Sequence, residues 1–330
     1  MRERLPHLGS VTPLPRGFRA YATNIGIKDD TNDFVVVASE TRCVASGVFT
    51  KSSFAGPSVV VSREAVADGR AQAVVVISKN ANVATGPAGL ENARAVVAGV
   101  ATALGVSAGD VAIASTGVIG RQYPMERVRA GLAAIPAELP ATDADAVADA
   151  IMTTDTVPKI ASTSIGGATI VGVAKGVGMI EPDMATLITL FFTDASLPGE
   201  ALDTIFRRVM DRTFNCVSVD TDTSTSDTAI ILANGAADVV SETEFEDGLF
   251  EVAKSLTQQV ARDGEGAEKL IEVTPSTGRR RTGSQSGSPR RSSTRRSSRP
   301  PSTEPTRTGV VSPWRSASRR LRTKSTNRAS

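Results

Sequence analysis

Short β-branched runs alternate along the chain with stretches in which apolar side chains recur every three to four residues. The runs predict strands over residues 34–39, 43–49, 58–61, 73–77, 111–115, 168–173, 187–192, 216–219 and 228–233. The helical period predicts helices over 90–104, 125–135, 143–152, 199–214 and 242–263. In the fourth of these, Leu202, Ile205, Phe206, Val209 and Met210 share one face, which is the pattern of core packing. Several strands follow one another without an intervening helix. The pattern is therefore mixed α/β with hairpin-like neighbours, not a regular βαβ alternation. No G-x-G-x-x-G, Walker loop or internal repeat stands out.

The 330 residues carry a formal net charge of +2, unevenly spread. Residues 275–330 hold 15 basic side chains and one acid, Glu304, whereas the 274 residues before them hold 22 basic and 34 acidic ones. An acidic body is joined to a basic tail. Of the 56 tail residues 14 are Ser, 14 are Arg and six are apolar, so the tail is expected to be disordered for want of anything to bury. The body is long enough for one large or two medium domains. No apolar run approaches the ~20 residues that span a bilayer, and residues 1–19 lack the apolar stretch of a secretory signal. Cys43 and Cys216 give neither a disulfide framework nor a metal-ligand spacing, which fits a cytoplasmic protein.

One histidine, His7, lies close to the N-terminus. Its isolation excludes Ser-His-Asp, Cys-His and His-rich metal chemistry. Three Gly- or Thr-rich polar segments remain. In STGVIG at 115–120, a glycine after a strand end can present backbone N–H groups, though a plain turn reads the same way. TTDT at 153–156 suits a small polar substrate and equally suits a helix cap and turn. In KGVGMIEPDMATL at 175–187, a flexible loop delivers Thr186 to the mouth of a strand. A Thr hydroxyl needs an adjoining base. The α-amine of the same Thr, once freed by backbone cleavage, is one that requires no histidine, with a reference pKa of about 7.7–8.0.

These three segments, with DGEGAEKLIEV at 263–273, resemble the bifunctional glutamate/ornithine N-acetyltransferase family of arginine biosynthesis, in order and at natural spacing from about residue 16 to 274. The resemblance implies a layered mixed α/β fold of the ornithine acetyltransferase type and no cofactor. It implies self-cleavage between Ala185 and Thr186 into an α chain, residues 1–185, and a β chain starting at the nucleophile Thr186. Thr116 and Gly117 match the oxyanion-hole positions. Thr153, Thr154, Lys175, Thr186 and Glu265 match positions that hold the amino-acid substrate. A cation suits the substrate carboxylate and an anion its ammonium. The implied reaction is ping-pong: N-acetylornithine acetylates Thr186, ornithine leaves, and glutamate takes the acetyl group. Some members also use acetyl-CoA, and the implied assembly is a heterotetramer of two α and two β chains, without nucleic acid or membrane. Asp183 stands where the family more often has Asn, which leaves substrate breadth open. The rival enzyme class is an N-terminal-nucleophile amidase or aminopeptidase, with water as acceptor.

The family continues beyond this point into a folded segment containing a DPNWGR motif. Residues 304–316, EPTRTGVVSPWRS, are compatible in a shifted frame with GTDPNWGRVAMAI, and 294–303 with NSPLVKTAVH. One missing base, or two extra, near the Thr274 codon accounts for this, and makes 275–330 a non-native tail in place of the family's substrate-contacting C-terminal segment. A genuine nucleic-acid-binding tail would share the Arg/Ser bias. It would not hide a family motif, and Trp314 is a lone aromatic where stacking uses several.

Overall fold

Residues 11–180, 187–220, 224–275, 306–311 and 321–327 are described by the computed structural model. Phe18–Thr23 (β1) runs antiparallel to the first part of Phe34–Phe49 (β2), a single strand where the pattern predicted two. Pro57–Ala65 (α1), Arg70–Ile77 (β3), Gly86–Leu104 (α2), Val111–Ser115 (β4), Met125–Ala133 (α3) and Asp145–Ala150 (α4) follow. Lys159–Ile165 (β5) and Ala168–Lys175 (β6) make a hairpin, and Ile188–Thr193 (β7) pairs beside it. Gly199–Arg212 (α5), Val217–Ser218 (β8), Thr228–Ala233 (β9), Glu242–Arg262 (α6) and Ala267–Pro275 (β10) complete the body.

Residues 58–61 are helical, not the strand expected from Val59–Val61. Pro57 occupies the first turn, and Ser58, Val59, Val61, Ser62 and Ala65 are buried along one helical face, so the short apolar run belongs to the 3.6 period. The β5–β6 hairpin closes on Gly166 and Gly167 at φ 49° and 85°, the pair of positive values that a two-residue type I′ turn requires.

Eight strands join in one hydrogen-bonded path, β4-β3-β2-β9-β7-β6-β5, with β1 on β2. The length of β2 lets it serve two half-sheets: residues 34–39 lie between β3 and β1, and residues 44–49 pair with β9. Side chains from both halves share one core. Val35, Val37, Val74 and Ala112 cluster with Val171, Leu190, Phe192 and Ile230. Phe18 of β1 touches Phe192 of β7, which is not its neighbour in the sheet, with ring centroids 5.4 Å apart. The two halves are thus packed face to face. The alternate residues point outward into two further cores, one under α1, α2 and α3 and one under α5 and α6. The layers run helix, sheet, sheet, helix.

Two stretches of the basic tail, expected to be without structure, are strands. Thr306–Val311 (β11) lies parallel to β10 and reaches β8, and Leu321–Asn327 (β12) lies antiparallel on the other edge of β10. Main-chain pairing at an open edge asks only for extended backbone, so an apolar-poor segment can meet it.

Phe192 is 1% exposed between the half-sheets. Phe192→Ala is expected to cost about 3–5 kcal/mol in urea unfolding. A loss under about 1 kcal/mol would contradict face-to-face packing.

Candidate active site

The C-terminal ends of β4 and β6 meet at one end of the sandwich. Thr116, first residue after β4, is buried, and its N–H donates to the Ile77 carbonyl at 3.1 Å. That leaves its hydroxyl as the group it can offer a ligand. Gly117 follows at φ 129°, and a Cβ there would lie 2.2 Å from the carbonyl carbon of Lys79. No other residue fits, and the Gly117 N–H has no acceptor among the described residues. The facing segment is itself unusual: Lys79, Asn82 and Ala84 all have positive φ, at 71°, 50° and 57°. The Val118 N–H donates to the Lys79 carbonyl at 3.3 Å, and the Ala81 N–H to the Val118 carbonyl at 3.0 Å, which zips the two loops together.

Lys175 ends β6, almost fully buried, with Nζ 3.4 Å from Thr116 Oγ1 and 3.7 Å from Asp155 Oδ2. Burial pulls its ammonium below the ordinary lysine range, and the charge of Asp155 opposes that pull. Asp155 is the hub beneath it. Its carboxylate accepts from the Thr153 N–H at 3.0 Å, the Gly176 N–H at 2.8 Å and Lys159 Nζ at 2.7 Å. Burial pushes the Asp155 carboxyl up, but Lys175 and Lys159 together hold it at about 2. Lys159 is wholly buried and donates also to Asp263 Oδ2 at 2.7 Å. Asp263 in turn accepts from the Thr156 N–H at 3.0 Å and from its hydroxyl. Two residues on, the Glu265 N–H donates to the Val177 carbonyl at 2.6 Å.

This lattice walls a cavity of about 320 Å³. Thr116, Gly117, Thr153, Thr154, Lys175 and Glu265, spread over 150 positions of sequence, all line it. Ala185 and Thr186 lie outside the described residues, as does the backbone between them. The first residue after that segment, Leu187, donates its N–H to Asp227 Oδ1 at 2.8 Å.

Several lining residues escaped the sequence reading. Lys79 Nζ donates to Asp29 Oδ1 at 2.5 Å, and this hydrogen bond, with that from the Thr31 hydroxyl, holds the carboxyl well below the ordinary range. Asp220 accepts from the Met179 N–H at 2.5 Å and the Ile180 N–H at 2.9 Å, fixing Met179 at φ 54°. A Cβ on Gly178 would lie 3.0 Å from Glu265 Oε2 and 3.2 Å from Asp220 Oδ2, so both carboxylates face the same space. Nothing in the spacing of Asp29 or Asp220 marks them; their backbone partners do. Val118 and Met179, large apolar residues at the cavity wall, are left 42% and 37% exposed. Among the described residues no group of three His, Cys, Asp or Glu could hold a metal, and no helix is long and apolar enough to cross a membrane.

The model of the ArgJ family matches residues 19–286. The chain belongs to the ArgJ family. It is 56% identical over 260 residues to the arginine biosynthesis bifunctional protein ArgJ 2 of Nostoc, covering 79% of this chain and 67% of that one. It is 58% identical over 267 residues to the glutamate N-acetyltransferase Oat2 of Streptomyces clavuligerus, covering 80% and 67%. The chain therefore matches about two thirds of the length of these relatives. A solved ornithine acetyltransferase from Mycobacterium tuberculosis, in complex with ornithine, is 29% identical, covers 55% of this chain and 98% of that one, and has a TM-score of 0.44. ArgJ membership makes the chain an acyltransferase of arginine biosynthesis.

Removing Lys159 leaves two buried carboxylates without their shared cation. Lys159→Met is expected to cost about 3–5 kcal/mol by chemical denaturation at pH 7. A cost below about 1 kcal/mol would mean that the bridge is not what holds this wall.

Proposed function

We propose that the chain moves the acetyl group of N-acetylornithine to glutamate through a covalent acetyl-threonine at Thr186, freed as a chain terminus by self-cleavage after Ala185. The observation that carries this reading is one cavity holding a buried cation, Lys175, an anion, Glu265, and the Thr116–Gly117 corner. N-acetylornithine carries a carboxylate and an ammonium, and Lys175 and Glu265 on the wall of this cavity offer a partner of opposite charge to each.

In this reading Thr186 Oγ attacks the acetyl carbonyl, and its α-amine takes the hydroxyl proton. The carbonyl oxygen becomes an oxyanion that the Thr116 hydroxyl and the Gly117 N–H are free to meet, since the Thr116 N–H is already engaged. One such donor is typically worth about 10²–10³ in kcat. Lys175 Nζ, 3.4 Å from Thr116 Oγ1, supplies positive charge at the same corner. Collapse breaks the C–N bond, and the ammonium returns its proton to the departing ornithine nitrogen. Glutamate then enters and its amine attacks the ester, releasing N-acetylglutamate. Thr153 and Thr154 line the substrate space. Acetyl-CoA as a second donor and an assembly of two α with two β chains belong to the same reading. So does the identity of 275–330 as a frameshifted stand-in for the family's C-terminal segment.

Expression of the frame-repaired chain is expected to give two pieces, the second beginning at Thr186, whereas Thr186→Ala stays whole. The mature enzyme is expected to form N-acetylglutamate from N-acetylornithine, and the unrepaired chain to do so far more slowly. Ornithine release at the same rate with and without glutamate would instead favour an amidase. Cleavage of Thr186→Ala at the same bond would overturn self-processing, and equal rates for repaired and unrepaired chains would overturn the reading of the tail.

A further inference from the structure

In the proposed reaction the two amino acids that exchange the acetyl group have side chains of opposite charge. That of N-acetylornithine ends in an ammonium, that of glutamate in a carboxylate. Any single charged partner at the side-chain end attracts one substrate and repels the other. A cavity that serves both needs its charges sorted by position, and the segment 177–180 on its wall carries such a sorting.

Glu265 and Asp220 come from different parts of the chain and are tied to this one segment. The Glu265 N–H donates to the Val177 carbonyl at 2.6 Å. The Val219 N–H donates to the Ile180 carbonyl at 2.8 Å, and the Asp220 carboxylate accepts from the Met179 and Ile180 N–H groups. Gly178 lies between the two anchors. A Cβ there would be 3.0 Å from Glu265 Oε2 and 3.2 Å from Asp220 Oδ2, so these two oxygens are at most about 6.2 Å apart. One ammonium nitrogen that bonds two carboxylates spans roughly 5.4–5.8 Å between their oxygens. The pair is therefore close enough for one ammonium to bridge with at most a small side-chain movement. Like charges at this range gain from a cation placed between them. Gly178 does not take a left-handed φ, so its backbone does not ask for glycine. What glycine supplies is room, since a side chain would occupy the gap between the carboxylates.

The wall built on Gly117 carries the opposite charge. Lys28 and Lys79 both line the cavity there: the Lys79 backbone presses on Gly117, and its ammonium pairs with Asp29, next to Lys28 in sequence.

We propose that Asp220 is a specificity-determining residue of this cavity. With Glu265 it clamps the side-chain ammonium of N-acetylornithine, and it turns the side-chain carboxylate of glutamate toward the Lys28 and Lys79 wall. The proposal rests on the cavity being the acetyl-transfer site, and adds the means by which one cavity accepts two side chains of opposite charge. An ammonium has three N–H donors and can serve both carboxylates at once. A carboxylate in the same place meets only repulsion.

Binding tests this without turnover. Ornithine and norvaline share one carbon chain, and only ornithine has the side-chain ammonium. Calorimetric titration of the full 330-residue chain is expected to show ornithine bound about 10–100-fold more tightly than norvaline. Asp220→Asn is expected to weaken ornithine about 10-fold, to leave norvaline unchanged, and to leave glutamate unchanged or bound more tightly. Equal weakening of all three would make Asp220 a structural residue and overturn the proposal. So would a wild type that does not prefer ornithine to norvaline, or an Asn variant that binds all three as the wild type does. A wild type that binds none of the three would overturn the amino-acid reading of the cavity itself, and this proposal with it.

Asn offers one acceptor where Asp220 offers two, to Met179 and to Ile180. Should that loosen the segment, Gly178→Ala tests the same clamp by placing a methyl group between the carboxylates. It is expected to weaken ornithine more than norvaline, and equal effects on the two would overturn the clamp.

Discussion

Lys159 is fully buried, and of the two carboxylates that neutralise it, Asp155 lies four residues away in sequence and Asp263 104. The wall of the cavity depends on this three-charge bridge. Through Asp155 it fixes the Thr153 backbone, the Gly176 backbone and the ammonium of Lys175. Through Asp263 it fixes Thr156 and the turn after α6 from which Glu265 projects. Buried ion pairs contribute little net stability against apolar replacements. Here the bridge gives position: it sets a cation and an anion at a fixed span on one cavity, which a hydrophobic contact of equal strength would leave less defined.

The opposite wall is built by shape, not charge. Gly117 presses so closely on the Lys79 backbone that a single methyl group would overlap it, and Lys79 itself takes a left-handed conformation to make the fit. Such backbone costs energy and persists only where its surroundings enforce it. The enforcing elements are the loop-to-loop hydrogen bonds and the Lys79–Asp29 pair. The result is an N–H without an acceptor among the described residues and a hydroxyl that accepts only from the buried Lys175 among them, both on the wall of the cavity.

Much of this was legible from the residues. Strands β4 and β9 fall where the β-branched runs put them, and the face of α5 is the one its spacing marks. Six of the lining residues, Thr116, Gly117, Thr153, Thr154, Lys175 and Glu265, lie in the motifs that carry the family resemblance. What was not legible has physical reasons. A three-residue apolar run, Val59–Val61, reads as strand or helix until its neighbours are seen. β5 is an edge strand with polar alternate positions, so its apolar signal is weak. Asp155, Asp227 and Asp263 act by holding backbone N–H groups or a distant lysine, and neither partner is visible in local sequence. The strands of the tail are main-chain pairings, to which side-chain pattern is nearly blind.

Recognition of both ends of one amino acid by Lys175 and Glu265 in a single cavity is the proposal on which the proposed function rests. A crystal structure of the mature protein soaked with ornithine tests it most directly. The expected result is ornithine in the cavity, its carboxylate on Lys175 and an ammonium on Glu265, with Thr116 and Gly117 beside its acetylatable nitrogen. Ornithine bound elsewhere, or bound there without contact to either charged side chain, would contradict it.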